Sequence, residues 1–138
     1  MKMYIILFIL SLFVITTKGR ARAGEDMFIT CKIKCEGITN SNNGINLICV
    51  RKSFKGSSCR TQKKYGCGFG EHILKNYDGT IVSAAKTKGC YTDRDKRILS
   101  EQNVSEIKMN SFGTLKLDTG KRFMIINGGR CNEEYCNK

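Results

Sequence analysis

Met27-Phe28-Ile29-Thr30-Cys31-Lys32-Ile33-Lys34-Cys35 is the stretch whose reading decides the fold. In an extended chain Met27, Ile29, Cys31, Ile33 and Cys35 share one face, and Thr30, Lys32 and Lys34 share the other. A period of two with one polar face predicts a half-buried β-strand over residues 27–35. In such a strand Cys31 and Cys35 point the same way and lie about 13 Å apart. A disulfide requires Cα atoms within about 7 Å. Each of the two must therefore bond elsewhere.

Six further cysteines follow: Cys49, Cys59, Cys67, Cys90, Cys131 and Cys136. The eight are separated by 3, 13, 9, 7, 22, 40 and 4 residues. No C-x2-C pair occurs and His72 is the only histidine, a set that argues against structural zinc. An even count with no leftover thiol predicts four disulfides. Eight cysteines allow 105 pairings, so the connectivity stays open. Cys131 and Cys136 are expected to pin the C-terminus. Each bridge is worth ~2–4 kcal/mol, mainly by restricting the unfolded chain.

The chain begins Met1-Lys2-Met3-Tyr4 and continues with an apolar run from Ile5 to Ile15, broken only by Ser11. Thr16, Thr17, Lys18 and Gly19 follow. One cation, a short apolar run and small residues read as a secretory signal peptide over residues 1–23. Cleavage is expected after Gly19 or Ala23, with Arg20-Ala21-Arg22 as a candidate short basic propeptide. A bilayer span takes about 20 residues, more than this run offers. A secreted, extracellular mature domain over residues 24–138 is the expectation. The full chain carries 24 Lys+Arg against 12 Asp+Glu, a net charge of +12. Cleavage after Gly19 removes Lys2 and Lys18, and cleavage after Ala23 also removes Arg20 and Arg22. The mature charge is then about +10 or +8.

Farther along, Ser41-Asn42-Asn43-Gly44 signals a turn. Ile45 to Val50 then reads as a second strand antiparallel to the first. Residues 52–70, rich in glycine and serine, read as a loop. A short helix is expected from Glu71 to Tyr77, ending at Asp78-Gly79, and a short strand from Thr80 to Ala84. Thr92 with Asp95 three residues on resembles a capping box and predicts a helix from Asp93 to about Gln102. Leu115 and Leu117, the turn at residues 118–121 and Phe123 to Ile126 predict a C-terminal hairpin. No repeat or low-complexity linker interrupts the chain. The expected fold is one small disulfide-rich domain, α+β or mostly β, with antiparallel strands and one or two short helices.

The chemistry-bearing residues are few. His72 is the only side chain positioned to act as a base near neutral pH, and it reads as an exposed histidine at a helix start. Tyr65-Gly66-Cys67-Gly68-Phe69-Gly70 resembles the calcium-binding loop of secreted phospholipases A2. The Cys-Cys-x-x-His-Asp helix of that family is missing, since Ile73 follows His72 and no cysteines are adjacent. The same glycines do not fit G-x-G-x-x-G, because Glu71 occupies the third position. They are better explained by a tight turn beside a disulfide. Asp93, Asp95, Glu133 and Glu134 read as cap and terminal acids rather than a glycosidase pair. No catalytic residue, cofactor or metal is therefore expected.

Arg51, Lys52, Lys55, Arg60, Lys63 and Lys64 carry six positive charges with no acid between them. Cys49, Cys59 and Cys67 constrain that segment. Such a loop suits an anionic extracellular partner: lipid headgroups, sulfated glycans or the acidic mouth of a channel or receptor. Nucleic acid fits less well, because the aromatics do not form an evident stacking platform. A monomer is expected. Asn103-Val104-Ser105 is a glycosylation sequon.

The leading expectation is a secreted, basic, non-enzymatic effector of the venom-toxin type. In overall layout the chain resembles the cysteine-rich venom components of arthropods. A defence protein, antimicrobial or killer-toxin-like, is the alternative. Asn42-Asn43-Gly44 before a strand carrying Cys49 is similar to the α/β killer toxins of smut viruses, although the helix that precedes that strand there is missing. A small secreted hydrolase acting through His72 is the third reading. The four-bridge reading has a direct test by intact-mass spectrometry. The unreduced protein is expected to be about 8 Da lighter than the reduced one, and a smaller deficit would refute it.

Overall fold

The alternation at residues 27–35 is realised as two strands rather than one. The computed structural model describes residues 27–39 and 45–138. The expected signal peptide, its expected cleavage sites and the expected turn at Ser41–Gly44 lie outside the described residues. Strand β1 (Phe28–Lys32) and strand β2 (Lys34–Thr39) are separated at Ile33. Ile29, Cys31 and Ile33 are all buried, as the pattern requires. The chain changes sheets at Ile33, whose N–H donates to the Ser57 carbonyl at 3.0 Å.

β1 pairs antiparallel with β3 (Ser58–Gln62) to form a two-stranded ribbon, with Cys31 opposite Cys59. β2 joins the main sheet. Its other strands are β4 (Cys67–Lys75), β5 (Ile81–Cys90), β6 (Phe112–Asp118) and β7 (Phe123–Cys131). The spatial order is β2-β5-β4-β7-β6, and every pairing is antiparallel. Among the described residues, one helix, α1 (Asp93–Glu101), links β5 to β6, and a single 3-10 turn spans Lys52–Phe54. The molecule is thus a small, mostly β, disulfide-rich domain.

Four disulfides are present: Cys31–Cys67, Cys35–Cys49, Cys59–Cys90 and Cys131–Cys136. Cys31 and Cys35 bond elsewhere, as their spacing requires. Four bridges fit a small secreted cysteine-rich protein, since disulfides persist in oxidising compartments. No helix among the described residues is long and apolar enough to cross a membrane.

Three local expectations are corrected. Residues 47–50 form a turn rather than a strand. The Asn46 side-chain oxygen accepts from the N–H groups of Ile48 and Cys49 at 2.9 and 3.3 Å and bends the chain there. Ile48 is thereby driven into the core, where it is fully buried with Leu74, Ala85 and Met124. The helix expected over Glu71–Tyr77 is instead the second half of β4. Leu74 faces the core while Ile73 is half-buried on the opposite face, so apolar residues on both faces erase the period of two. Asp78-Gly79 is a turn as expected, but it joins β4 to β5. Finally, the loop at residues 52–70 contains β3, whose polar sequence Ser-Cys-Arg-Thr-Gln hides its strand character.

Other expectations are matched closely. Thr92 and Asp95 form a reciprocal capping box on α1. The C-terminal hairpin is β6–β7. The C-terminus is pinned by Cys131–Cys136 and by Asn137, which is buried. Asn137 lies along the free edge of β1, accepting from Lys32 N–H at 2.8 Å and donating to the Lys32 carbonyl at 3.0 Å. Its amide also donates to Gly68 on β4 at 3.0 Å and to Gly89 on β5 at 3.4 Å. One side chain therefore joins ribbon and sheet. Asn137→Ala would strand several buried backbone groups, at about 1–3 kcal/mol each. A fall in melting temperature of about 10 °C or more is expected by calorimetry. Asn137→Asp, which loses both N–H donors, is expected to be no better, and an unchanged melting point in both variants would contradict this role.

Candidate functional site

The six basic residues singled out by the sequence are all exposed, and they fall into two groups. Arg51, Lys52 and Lys55 sit on and beside the 3-10 turn that follows the Cys35–Cys49 bridge. Arg60 lies at the middle of β3, opposite Thr30, with its guanidinium 5.4 Å from the Phe28 ring centroid. Lys63 and Lys64 occupy the turn between β3 and β4, and the Lys64 ammonium lies 5.1 Å from the Tyr65 ring centroid. Among the described residues, ion pairs link Lys34 to Glu36, Arg97 to Asp93 and Arg130 to Glu106. None of these uses the six.

His72 is not the exposed residue at a helix start that the sequence suggests. It lies within β4, half-buried, with the Phe54 ring edge-on to it at 5.7 Å. Burial, with the Arg51 cation adding to it, lowers the pKa from 6.5 to about 4. The imidazole is therefore neutral at physiological pH.

The glycines of Tyr65–Gly70 serve close packing. Gly66 adopts a φ of +81°, and a Cβ there would lie 2.4 Å from the Cys131 carbonyl oxygen. It turns the chain beside the bridge region, as the sequence suggested. The Sγ atoms of Cys31, Cys59 and Cys90 lie within 4.8 Å of one another. All three are consumed in disulfides, so this donor set does not suit a metal ion.

Asn103 is exposed and closes α1. It adopts a φ of +54°, while Asn103 N–H donates to Ser100 and Val104 N–H to Leu99. This is a Schellman termination with asparagine in the left-handed position. The sequon thus sits on a fixed, accessible corner.

Sequence reasoning missed a second surface on the main sheet. Phe69 on β4 and Phe112 on β6 are exposed, with ring centroids 6.5 Å apart. Lys34, Glu36, Lys86, Lys88 and Glu71 lie beside Phe69 around an open groove of about 380 Å³. Lys34 Nζ is 2.8 Å from Glu36 Oε1. That hydrogen bond holds the Glu36 carboxyl below its ordinary pKa, and Lys86 and Lys88 add to the effect. The available signal was Lys86-x-Lys88 and Lys34-x-Glu36, charges spaced by two along strands, but the register that joins them to Phe69 is not readable from the chain.

No family model, no curated protein and no solved structure matches this chain.

The His72 setting predicts the acid behaviour. The unfolded chain binds a proton at His72 near pH 6.5 and the folded chain only near pH 4. The stabilisation is complete above pH 6.5 and is lost as pH falls towards 4, by an amount of order 3 kcal/mol. Urea unfolding across that window should show the slope, and His72→Leu should flatten it. An identical slope in the variant would assign the acid sensitivity to other groups.

Proposed function

We propose that the protein is a secreted, basic, cysteine-rich effector of the venom-toxin type that acts without catalysis, by docking on an anionic membrane, channel or receptor surface. The observation that carries this reading is the set Arg51, Lys52, Lys55, Arg60, Lys63 and Lys64. All six are exposed, no acid lies between Arg51 and Lys64, and they are mounted on elements fixed by Cys35–Cys49 and Cys59–Cys90. A bridged frame presents charges with little ordering cost on binding. The separation of the charges into two groups favours an extended anionic surface over a point ligand. The neutral, half-buried His72 adds support, since a base held at a pKa of about 4 is a weak proton acceptor for hydrolysis at neutral pH.

The test is sedimentation with vesicles of phosphatidylcholine alone or mixed with phosphatidylserine. Binding is expected only to the anionic vesicles and should weaken with added salt. Replacing Arg51, Lys52 and Lys55 by Ala should lower the affinity by roughly fivefold per residue. Replacing all six should abolish it. Full binding by the six-residue variant, or hydrolysis of RNA or lipid that His72→Ala removes, would overturn the reading.

A further inference from the structure

On the face of the main sheet that carries Phe69, the row Cys90, Cys67 and Cys131 packs against Ile29 and Cys31, and the rows beyond it are left open to solvent. The strand register places Lys34, Lys88, Phe69, Gly129 and Phe112 in one row across β2, β5, β4, β7 and β6. The adjacent row is Glu36, Lys86, Glu71, Asn127 and Thr114. Phe69 and Phe112 retain 37% and 69% of their exposure, so burial does not account for the two aromatic rings at these positions. Gly129 lies between them in the row. A Cβ at Gly129 would approach Phe69 Cζ to 2.6 Å, so glycine lets the Phe69 ring settle over the β7 backbone towards Phe112.

Open grooves lie on both sides of this ring pair. One, of about 380 Å³, includes Phe69 in its wall. The other, of about 410 Å³, runs along β6 and includes Phe112, Thr114, Glu106 and Lys108. The row itself crosses all five strands, a path of about 19 Å from β2 to β6. Such a path suits a linear chain rather than a compact ligand.

The charges select the chemistry of that chain. Ammonium groups of Lys34, Lys86 and Lys88 alternate with the carboxylates of Glu36 and Glu71, and Lys34 is already paired with Glu36. A polyphosphate would meet repulsive carboxylates along its length, and its binding relies on uniform positive charge. An apolar segment would bury ammonium and carboxylate groups without partners. Hydroxyl groups both donate and accept, so they match a lining of alternating acids and bases. The apolar C–H faces of pyranose rings match exposed aromatic rings beside those polar groups.

We propose that this row is a glycan-binding surface. Its ligand is a linear oligosaccharide, neutral or sparsely acidic. The sugar rings stack on Phe69 and Phe112, and the hydroxyls meet Glu71, Lys86 and Lys88. The site is distinct from the basic groups at residues 51–64, so the protein would hold a polysaccharide with one surface and an anionic partner with another.

The experiment titrates the disulfide-bonded protein with cellohexaose, chitohexaose, xylohexaose and mannohexaose, followed by NMR. Single-stranded RNA and a heparin hexasaccharide serve as comparison arms. At least one of the first four is expected to bind, with shifts at Phe69, Phe112, Lys86 and Lys88 and little response to half-molar salt. Phe112→Ala is expected to weaken that binding about tenfold with an unchanged melting temperature, because the residue is largely exposed. Lys86→Ala is the second such variant, and Gly129→Ala should displace the Phe69 ring and act in the same direction. Replacement of the six basic residues at 51–64 should leave glycan binding intact, and Phe112→Ala should leave vesicle binding intact. Failure of either surface is thereby separable from failure of the other. No binding at millimolar saccharide would overturn the proposal. So would binding that Phe112→Ala does not alter, or salt-sensitive binding confined to RNA or heparin.

Discussion

Three cysteines side by side on adjacent strands are the constraint on which the rest of the structure depends. Cys90 on β5, Cys67 on β4 and Cys131 on β7 are direct neighbours in register. Each sends its bridge to a different element: Cys90 to Cys59 on β3, Cys67 to Cys31 on β1, and Cys131 to Cys136 in the C-terminal turn. The two-stranded ribbon and the chain end are thus fastened to one end of the main sheet. A two-stranded ribbon alone is marginal in water. The six cysteines gather around Ile29 as a second, sulfur-rich core, separate from the aliphatic cluster around Ile48. The bridges do not merely reinforce a finished core; they supply half of one.

Polar groups complete what the small cores leave open. Arg130 is buried on β7, yet its guanidinium donates to the carbonyls of Tyr65 and Ile107 and to the Glu106 carboxylate, and it lies 4.2 Å from the Tyr91 ring centroid. The segment after α1 and the turn before β4 are both held by this one cation. Asn46 acts similarly on the other core, donating to Ala84 and accepting from Ser83 while it bends the chain at Ile48. No buried side-chain nitrogen or oxygen among the described residues lacks a partner. With so little apolar bulk, satisfied polar contacts determine which arrangement of loops is adopted.

The sequence was legible where local physics is strong and opaque where register decides. The alternation from Met27, the capping box at Thr92 and the hairpin turn after Asp118 are short-range patterns, and all three are found. β3 has no apolar face to announce it. β4 carries apolar residues on both faces because one side meets the core and the other borders Phe123 and Ile125. The break at Ile33 leaves the in-out alternation intact, so no sequence pattern separates the two strands. The basic segment was visible as charge, but its division into one group on the 3-10 turn and another on β3 and the turn after it was not. The Phe69–Phe112 pair was invisible because 42 residues of sequence lie between its members, and only the β4–β7–β6 register brings them together.

The clustering of bridges also divides the molecule's vulnerabilities. At the end of the sheet opposite the cysteine row, the β4–β5 and β6–β7 turns are joined by the Tyr77 hydroxyl on Asp118 and by Arg122 on Asn76. These contacts are largely solvent-facing, and local opening begins where exposed hydrogen bonds carry the load. A thiol reductant therefore attacks one end of the sheet, and heat or denaturant frays the other. The turns at residues 76–80 and 118–122 are consequently the places where the chain would best accept an inserted tag or a new pair of termini.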